Sequence, residues 1–404
     1  MKYDQWREEI MGLPVFDTHT HLNMPGVPVP ARNFWDIAHY FWFLEELWSV
    51  GYPRNAGDLP EAERIERFVA AFEASRNTAW NTIVRRMFAT LYEIELKDAA
   101  SVRHADAAVR ESFQQPDWAK RVIDRLNIRY IAVNNLRDHD FPRMPGVGVA
   151  VPSRSDFDRQ KWVERLLAAS DPRAAGNAAQ EALSEAVGKL HAMGIRGMRV
   201  EAEPFVQDNR VALEMPGELP ARGMDKHHLE IFLTHAQLRA LGAYGMFAQL
   251  FLGIEREVTD STSMAVDDPR RITNLYPLFE RHTCGFELVI GAPGNNMDAA
   301  QPARIYPNVH VGGLWWYNFR SSTYRQSMQV RLEAVPASKS ALVASDARCI
   351  EWCYGKILLV KRLLADFLYD QITLGWIDRS DALWVAREWL HNAAARRYLP
   401  TGPS

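Results

Sequence analysis

Eight short runs of apolar and β-branched residues recur along the chain, and most stretches between them place apolar residues at helical spacing. The runs are VFDTHTHL (15–22), IRYIAVNN (128–135), VGVAVP (147–152), GIRGMRVEA (194–202), MFAQLFLGI (246–254), FELVIGAPG (286–294), VHVGGLWW (309–316) and SALVASDAR (340–348). Between them, residues 176–192 align Leu183, Val187 and Leu190 on one stripe, and 228–242 align Ile231, Leu238 and Leu241. Residues 350–368 do the same with Ile357, Leu358, Leu363, Leu364 and Phe367. Strands alternating with helices predict a parallel sheet, and eight such units predict an α/β fold closed into a (β/α)8 TIM barrel. An open doubly wound sheet is the alternative, but no glycine-rich turn follows the first run. Gly146 and Gly148 read as the entry to the third strand.

The alternation breaks once. Residues 23–115 carry no strand pattern and include the aromatic stretch ARNFWDIAHYFWFLEELWSVG followed by helical patterns around 61–96. A helical insertion after the first strand is expected. Loops at that end of a barrel frame its mouth, so the insertion is expected to cover the site within a single domain spanning 1–404. The tail, RSDALWVAREWLHNAAARRYLP, reads as one more helix on the outer shell.

Length and composition fit this picture. The 404 residues exceed one barrel of about 250 and leave room for the insertion. Hydrophobic content of 47% and charged content of 24% are ordinary for a globular protein. A net charge of −3 gives no hint of a nucleic-acid or membrane surface, which would need a strong basic excess. The N-terminus, MKYDQWREEI, is charged and unlike a signal peptide, and ILLVKRLLADFLYD is interrupted by Lys361 and Arg362, unlike a membrane span. Cys284, Cys349 and Cys353 cannot frame a disulfide scaffold and suggest a reducing, cytoplasmic setting. Cys349 and Cys353, four apart on a helix, read as buried packing residues, with a soft-metal pair as the alternative.

Chemistry enters with the first strand. Alternate strand residues share a face, so His19 and His21 point the same way. Two neutral imidazoles suit one divalent transition ion, zinc first and manganese as the alternative. Asp346 ends the eighth strand, which in a closed barrel lies beside the first, and it supplies the anionic third ligand. Three protein ligands leave positions open, as catalytic sites do. Asp17 reads as a strand-end carboxylate.

DTHTHL on the first strand and a lone aspartate on the eighth resemble the amidohydrolase superfamily, and further elements resemble its uronate (glucuronate) isomerase family. SDAR is similar to that family's Asp-x-Arg element, giving Asp346 and Arg348. LWWYN (314–318) is similar to its tryptophan-pair strand. VPSRSD (151–156) is similar to its third-strand arginine element, giving Arg154, and AHYFWFLEEL (38–47) resembles its His-Tyr element, giving His39 and Tyr40. The matches are in order and span nearly the whole chain. Three elements depart: Phe251 stands where the family commonly has a histidine, Arg199 where binuclear relatives place a bridging lysine, and Asn134–Asn135 where threonine and aspartate are usual. A phenylalanine cannot ligate and an arginine cannot be carbamylated into a bridge, which favours a single ion in a divergent branch.

The resemblance implies an aldose–ketose isomerase acting on a uronate or related sugar acid through an enediolate. It implies Asp346 and Tyr40 as proton-handling groups, His39 on a sugar hydroxyl, and Arg348 and Arg154 on the carboxylate. Trp316 would stack on the sugar face, since Trp315 and Trp316 alternate in direction. A nearby metal or arginine would lower the Tyr40 pKa. Each has a plainer reading: His39 and Tyr40 as aromatic core, the arginines as surface residues, the tryptophans as packing. The cluster Asp138-His139-Asp140 is either substrate-facing or a polar loop, and Asp225–His228 reads as a capped helix start. A homo-oligomer is expected. A hydrolase using the same ion, and a barrel that binds sugar acids without turnover, are the other functional readings.

Overall fold

The computed structural model describes residues 2–22, 29–134, 146–153, 155–200, 225–259, 262–315 and 318–400. β1 (Val15–Thr20), β2 (Ile128–Val133) and β3 (Gly148–Ala150) form one parallel sheet. β4 (Gly197–Arg199) and β5 (Phe247–Leu252) belong to a second. After β5 the chain makes an antiparallel hairpin, β6 (Ile254–Thr259) with β7 (Thr262–Ala265). β8 (Gly285–Ile290) and β9 (Val309–Leu314) then complete the second sheet in the order β4-β5-β8-β9.

Two sets of contacts join these sheets into a ring. The Arg199 amide donates to the Pro152 carbonyl at 2.9 Å, linking β4 to the end of β3. Residues 340–347 run between β9 and β1, with parallel bridges Val311 to Ser340, Leu314 to Val343 and Thr20 to Ala347. The amides of Thr18, His21 and Asp346 donate to Val343, Ala347 and His19 carbonyls at 3.0, 2.9 and 2.8 Å. The eight runs read from the sequence are thus the eight staves of a (β/α)8 barrel. Gly313 lets the last stave approach, because a Cβ there would lie 2.3 Å from the Val343 carbonyl carbon.

Two elements differ from the sequence reading. The hairpin Ile254–Ala265 falls between the fifth and sixth staves, where no strand was expected; Gly253, at φ +86°, turns the chain into it. The tail is not simply an outer helix. Its final turns, Ala393–Tyr398, bring Ala394 and Tyr398 against Phe16, Phe247 and Ala341 near the N-terminal ends of the staves. There the Tyr398 hydroxyl donates to the buried Glu287 and accepts from Gln249 at 2.8 Å, while Arg397 pairs with Glu287 at 2.7 Å. Two charged or polar staves thus find partners that an apolar barrel floor could not provide.

Within 23–115, the described α-helices are Phe34–Ala38, Phe41–Ser49, Glu61–Ala74, Ala79–Met87 and Ala99–Gln114. Asn33 caps the first, and Asp98 with Ser101 forms a capping box on the last. Their apolar faces pack into the same core as the long helix Ile350–Thr373, with Ile83 and Met87 seated on Gly355. Asp225 caps the helix Lys226–Ala243 as expected. No described helix is long and apolar enough to cross a membrane.

Candidate functional site

β1 delivers two imidazoles to one place. His19, on the strand, and His21, just past it, have ring centroids 5.0 Å apart. Their Nε2 atoms lie 3.2 and 2.8 Å from Asp346 Oδ1. One donor atom from each of the three residues falls within 4.8 Å of the others. Asp346 reaches this position through a left-handed backbone, φ +55°, uncommon for a non-glycine residue. Such a conformation persists only where surrounding contacts fix it, here the Asp346 amide on His19 and the Ser345 amide on Asp17 Oδ1 at 2.8 Å.

The donor set fits a cation. His19 Nε2 and Asp346 Oδ1 are buried and have no hydrogen bond of good geometry, a costly state that a bound ion would relieve. Burial lowers His19 to about 4, so its ring is neutral and able to ligate. Burial acts to raise Asp346, but His21 and His19 prevail and hold it well below the usual carboxylate range. Two imidazoles and a carboxylate are a ligand set suited to zinc or a similar ion.

The other oxygen of Asp346 faces the insertion. Trp42 Nε1 donates to Oδ2 at 3.2 Å, and the Tyr40 hydroxyl lies 3.3 Å from Oδ2 and 3.0 Å from the Asp346 carbonyl. The resemblance implied a lowered Tyr40 pKa. In the protein chain itself, burial and the Asp346 charge push it well above its ordinary value, outweighing Arg348, so the phenol is a neutral donor. Behind it stands Lys356, fully buried on the helix after the eighth stave. Its ammonium donates to Tyr40 Oη at 2.8 Å and to the Ser345 carbonyl. The rings of Tyr40, Trp80, Phe319 and Trp352 surround it at 4.4–5.7 Å.

Asp17, two residues before His19 on β1, is also fully buried, and burial lifts it to about 6 against hydrogen bonds from Ser345 and His19. Cys353 Sγ lies 3.6 Å from its Oδ2. With Cys349 buried at the start of the same helix, the two thiols pack as expected and belong to no described ligand cluster. Phe251 meets His19 at 4.5 Å, Trp315 closes on Phe251 at 4.8 Å, and Arg199 lies 4.6 Å over the Phe251 ring. The position that lacks a histidine is thus an aromatic wall beside the triad.

The remaining expected site residues fall into two sets, those described and those outside the described residues. His39 Nε2 bonds Tyr52 Oη at 2.9 Å, and its ring lies tilted 5.0 Å from Trp35, inside the insertion. Arg348 is exposed, with its guanidinium 4.6 Å over Phe41. Arg154, Trp316 and the Asp138–Asp140 cluster lie outside the described residues. Sequence reasoning passed over Trp42 and Lys356. A lysine inside the apolar run IEWCYGKILLV was the one available signal for the latter.

No protein-family model matches the chain, and no curated protein matches it by sequence. Solved structures do match. The uronate isomerase of Thermotoga maritima superposes with a TM-score of 0.76 at 12% identity, covering 98% of this chain and 97% of that one. The glucuronate isomerase of Caulobacter crescentus gives 0.74 at 14%, covering 98% and 93%. A Lactobacillus casei protein, named only provisionally as a metal-dependent hydrolase, gives 0.57 at 14%, covering 97% and 96%. At these identities the likeness is one of fold, and it extends over the whole chain, insertion included.

Proposed function

We propose that the protein is a metal-dependent aldose–ketose isomerase acting on a uronate or a related sugar acid. The observation that carries this reading is the buried His19–His21–Asp346 group with the Tyr40 phenol set against its carboxylate. Full-length likeness in fold to two uronate isomerases supports it. Zinc, or manganese in its place, would offset negative charge on the substrate oxygens when bound.

The residues divide the remaining work. Isomerisation moves a proton between neighbouring carbons through an enediolate, so it needs a base and a donor to oxygen. Asp346, anionic and with Oδ2 turned to the insertion, is the acceptor. Tyr40, neutral and braced by Lys356, donates to a substrate oxygen. Arg348 anchors the uronate carboxylate, aided by Arg154. Trp316 offers a face to the sugar, and His39 a hydrogen bond to a hydroxyl. Phe251 and Trp315 exclude water beside His19. The enzyme acts as a homo-oligomer in a reducing cytoplasm, consistent with three buried free thiols.

A hydrolytic reading is favoured by the likeness to the Lactobacillus casei protein. There Asp346 accepts a proton from an attacking water, and no carbon-bound proton moves. A panel of glucuronate, galacturonate and sugar lactones, followed by NMR in deuterated water, separates the two. The isomerase reading expects a ketose carrying deuterium at carbon 1, and deuterium at carbon 2 of the re-formed aldose. Lactone opening without isomerisation supports hydrolysis. Metal retention with no turnover of the panel indicates a binding protein.

A further inference from the structure

Away from the triad, four arginines, Arg7, Arg86, Arg320 and Arg362, line a cavity of about 630 Å³ between the outer helices. Like charges gathered this way repel. Burial, then Arg86 and Arg7, pull Arg362 below its ordinary value, and its Nε is buried without a hydrogen-bond partner. Two carboxylates share the cavity. Asp366 accepts from the Tyr3 hydroxyl, and burial pushes Glu46 up to about 7, so it is only partly ionised near neutrality. Even with both ionised and Arg320 left out of the count, Arg7, Arg86 and Arg362 outnumber the two carboxylates and leave an excess of positive charge.

The backbone adds to that excess. Three helices begin at the cavity wall: Tyr3–Gly12, Ala79–Met87 and Ser321–Ala334. Lys2 and Arg320, at the N-cap positions of the first and third, give no side-chain cap hydrogen bond. Both helix ends carry partial positive charge, because first-turn amides have no partner within the helix. Guanidinium forks and helix N-termini together are the donors that phosphate oxygens select. The space suits a small molecule and not a polymer.

We propose that this cavity binds a phosphate-bearing small molecule, at a site separate from the triad. The multiple charge of such a ligand matches the excess, and its several oxygens can meet arginines and helix ends together. The cavity shares elements with the triad's surroundings: Glu46 lies on the helix that carries Trp42, and Leu359 and Arg362 on the helix that carries Lys356.

The test is calorimetric titration of the full chain with inorganic pyrophosphate at low ionic strength. The double variant Arg86→Gln/Arg362→Gln should bind at least about tenfold more weakly, as expected when charged hydrogen bonds are lost. His19→Asn should bind as tightly as the original. Ser322→Glu, which puts a carboxylate at a helix start, is a second block that spares the arginines. Absence of binding at millimolar pyrophosphate would overturn the proposal. So would equal affinity in both cavity variants, or a loss confined to His19→Asn, which would put the anion at the triad.

Discussion

The hydroxyl of Tyr40 lies 3.0 Å from the carbonyl oxygen of Asp346 and 3.3 Å from its Oδ2, across 306 residues of sequence. The insertion therefore sets a phenol against the carboxylate of the His19–His21–Asp346 group. If Tyr40 donates to substrate oxygen, Tyr40→Phe should lower kcat by about a hundredfold or more, the usual scale for a positioned acid–base group. Bound metal should stay stoichiometric by elemental analysis, since the ring is not a ligand. Unchanged turnover would remove Tyr40 from the mechanism.

Lys356 Nζ contacts the Tyr40 hydroxyl. Its ammonium fixes the phenol oxygen and the Ser345 carbonyl next to Asp346. Lys356→Met keeps volume and removes the charged donor. The expected result is a kcat lower by about tenfold, a barrier change of about 1.4 kcal/mol, with KM and metal content nearly unchanged. A purely structural lysine would instead lower the unfolding midpoint and leave kcat per folded molecule intact.

Removal of the ion tests the centre itself. His19→Ala, His21→Ala and Asp346→Ala should each reduce metal from about one per chain to near zero, because three ligands leave no redundancy. Stoichiometric metal in all three variants would refute the centre. Chelation of the unaltered protein should abolish turnover, and zinc or manganese should restore it.

Much of this was legible in the sequence, for physical reasons. Apolar runs mark buried parallel strands, and the two-residue period of the first run places both imidazoles on one face. Closure of the barrel then brought Asp346 to them. The hairpin Ile254–Ala265 escaped notice because its first strand, IEREVT, lacks an apolar run. The role of Tyr398 as a floor plug escaped because helical spacing does not say which end of a barrel a helix tip meets. Lys356 escaped because local sequence does not show that four aromatic rings from separate elements converge on it.

Buried histidines set an acid limit on stability. His235 and His282 share a 2.8 Å hydrogen bond. Burial first, then the neighbouring charges including Arg239 and Arg281, lower them to about 3 and about 4 from 6.5. Between pH 6.5 and 4 the unfolded chain binds protons that the folded chain refuses, so stability falls as pH drops through that window. At pH values above 6.5 both states are neutral and the effect vanishes. In urea titrations, His235→Gln/His282→Gln should lose stability less steeply below pH 6.5 than the original. Parallel slopes would mean that the pair titrates normally.

The barrel floor offers the sharpest stability test. Glu287 is fully buried on β8, and its charge is met by Arg397 at 2.7 Å and by the Tyr398 hydroxyl. Removing one partner of a buried pair leaves the other charge desolvated and unmatched, at a cost of about 3–5 kcal/mol. Arg397→Ala should therefore destabilise strongly. Tyr398→Phe keeps the ring against Phe16 and Phe247 and loses only hydrogen bonds, so it should cost about 1.5–3 kcal/mol. Changing Glu287 together with its partner, as Glu287→Gln/Arg397→Ala, should recover much of the Arg397→Ala loss, since no orphan charge remains. If the double variant is as unstable as the sum of the singles, the two residues are uncoupled, and the tail holds the floor by packing alone.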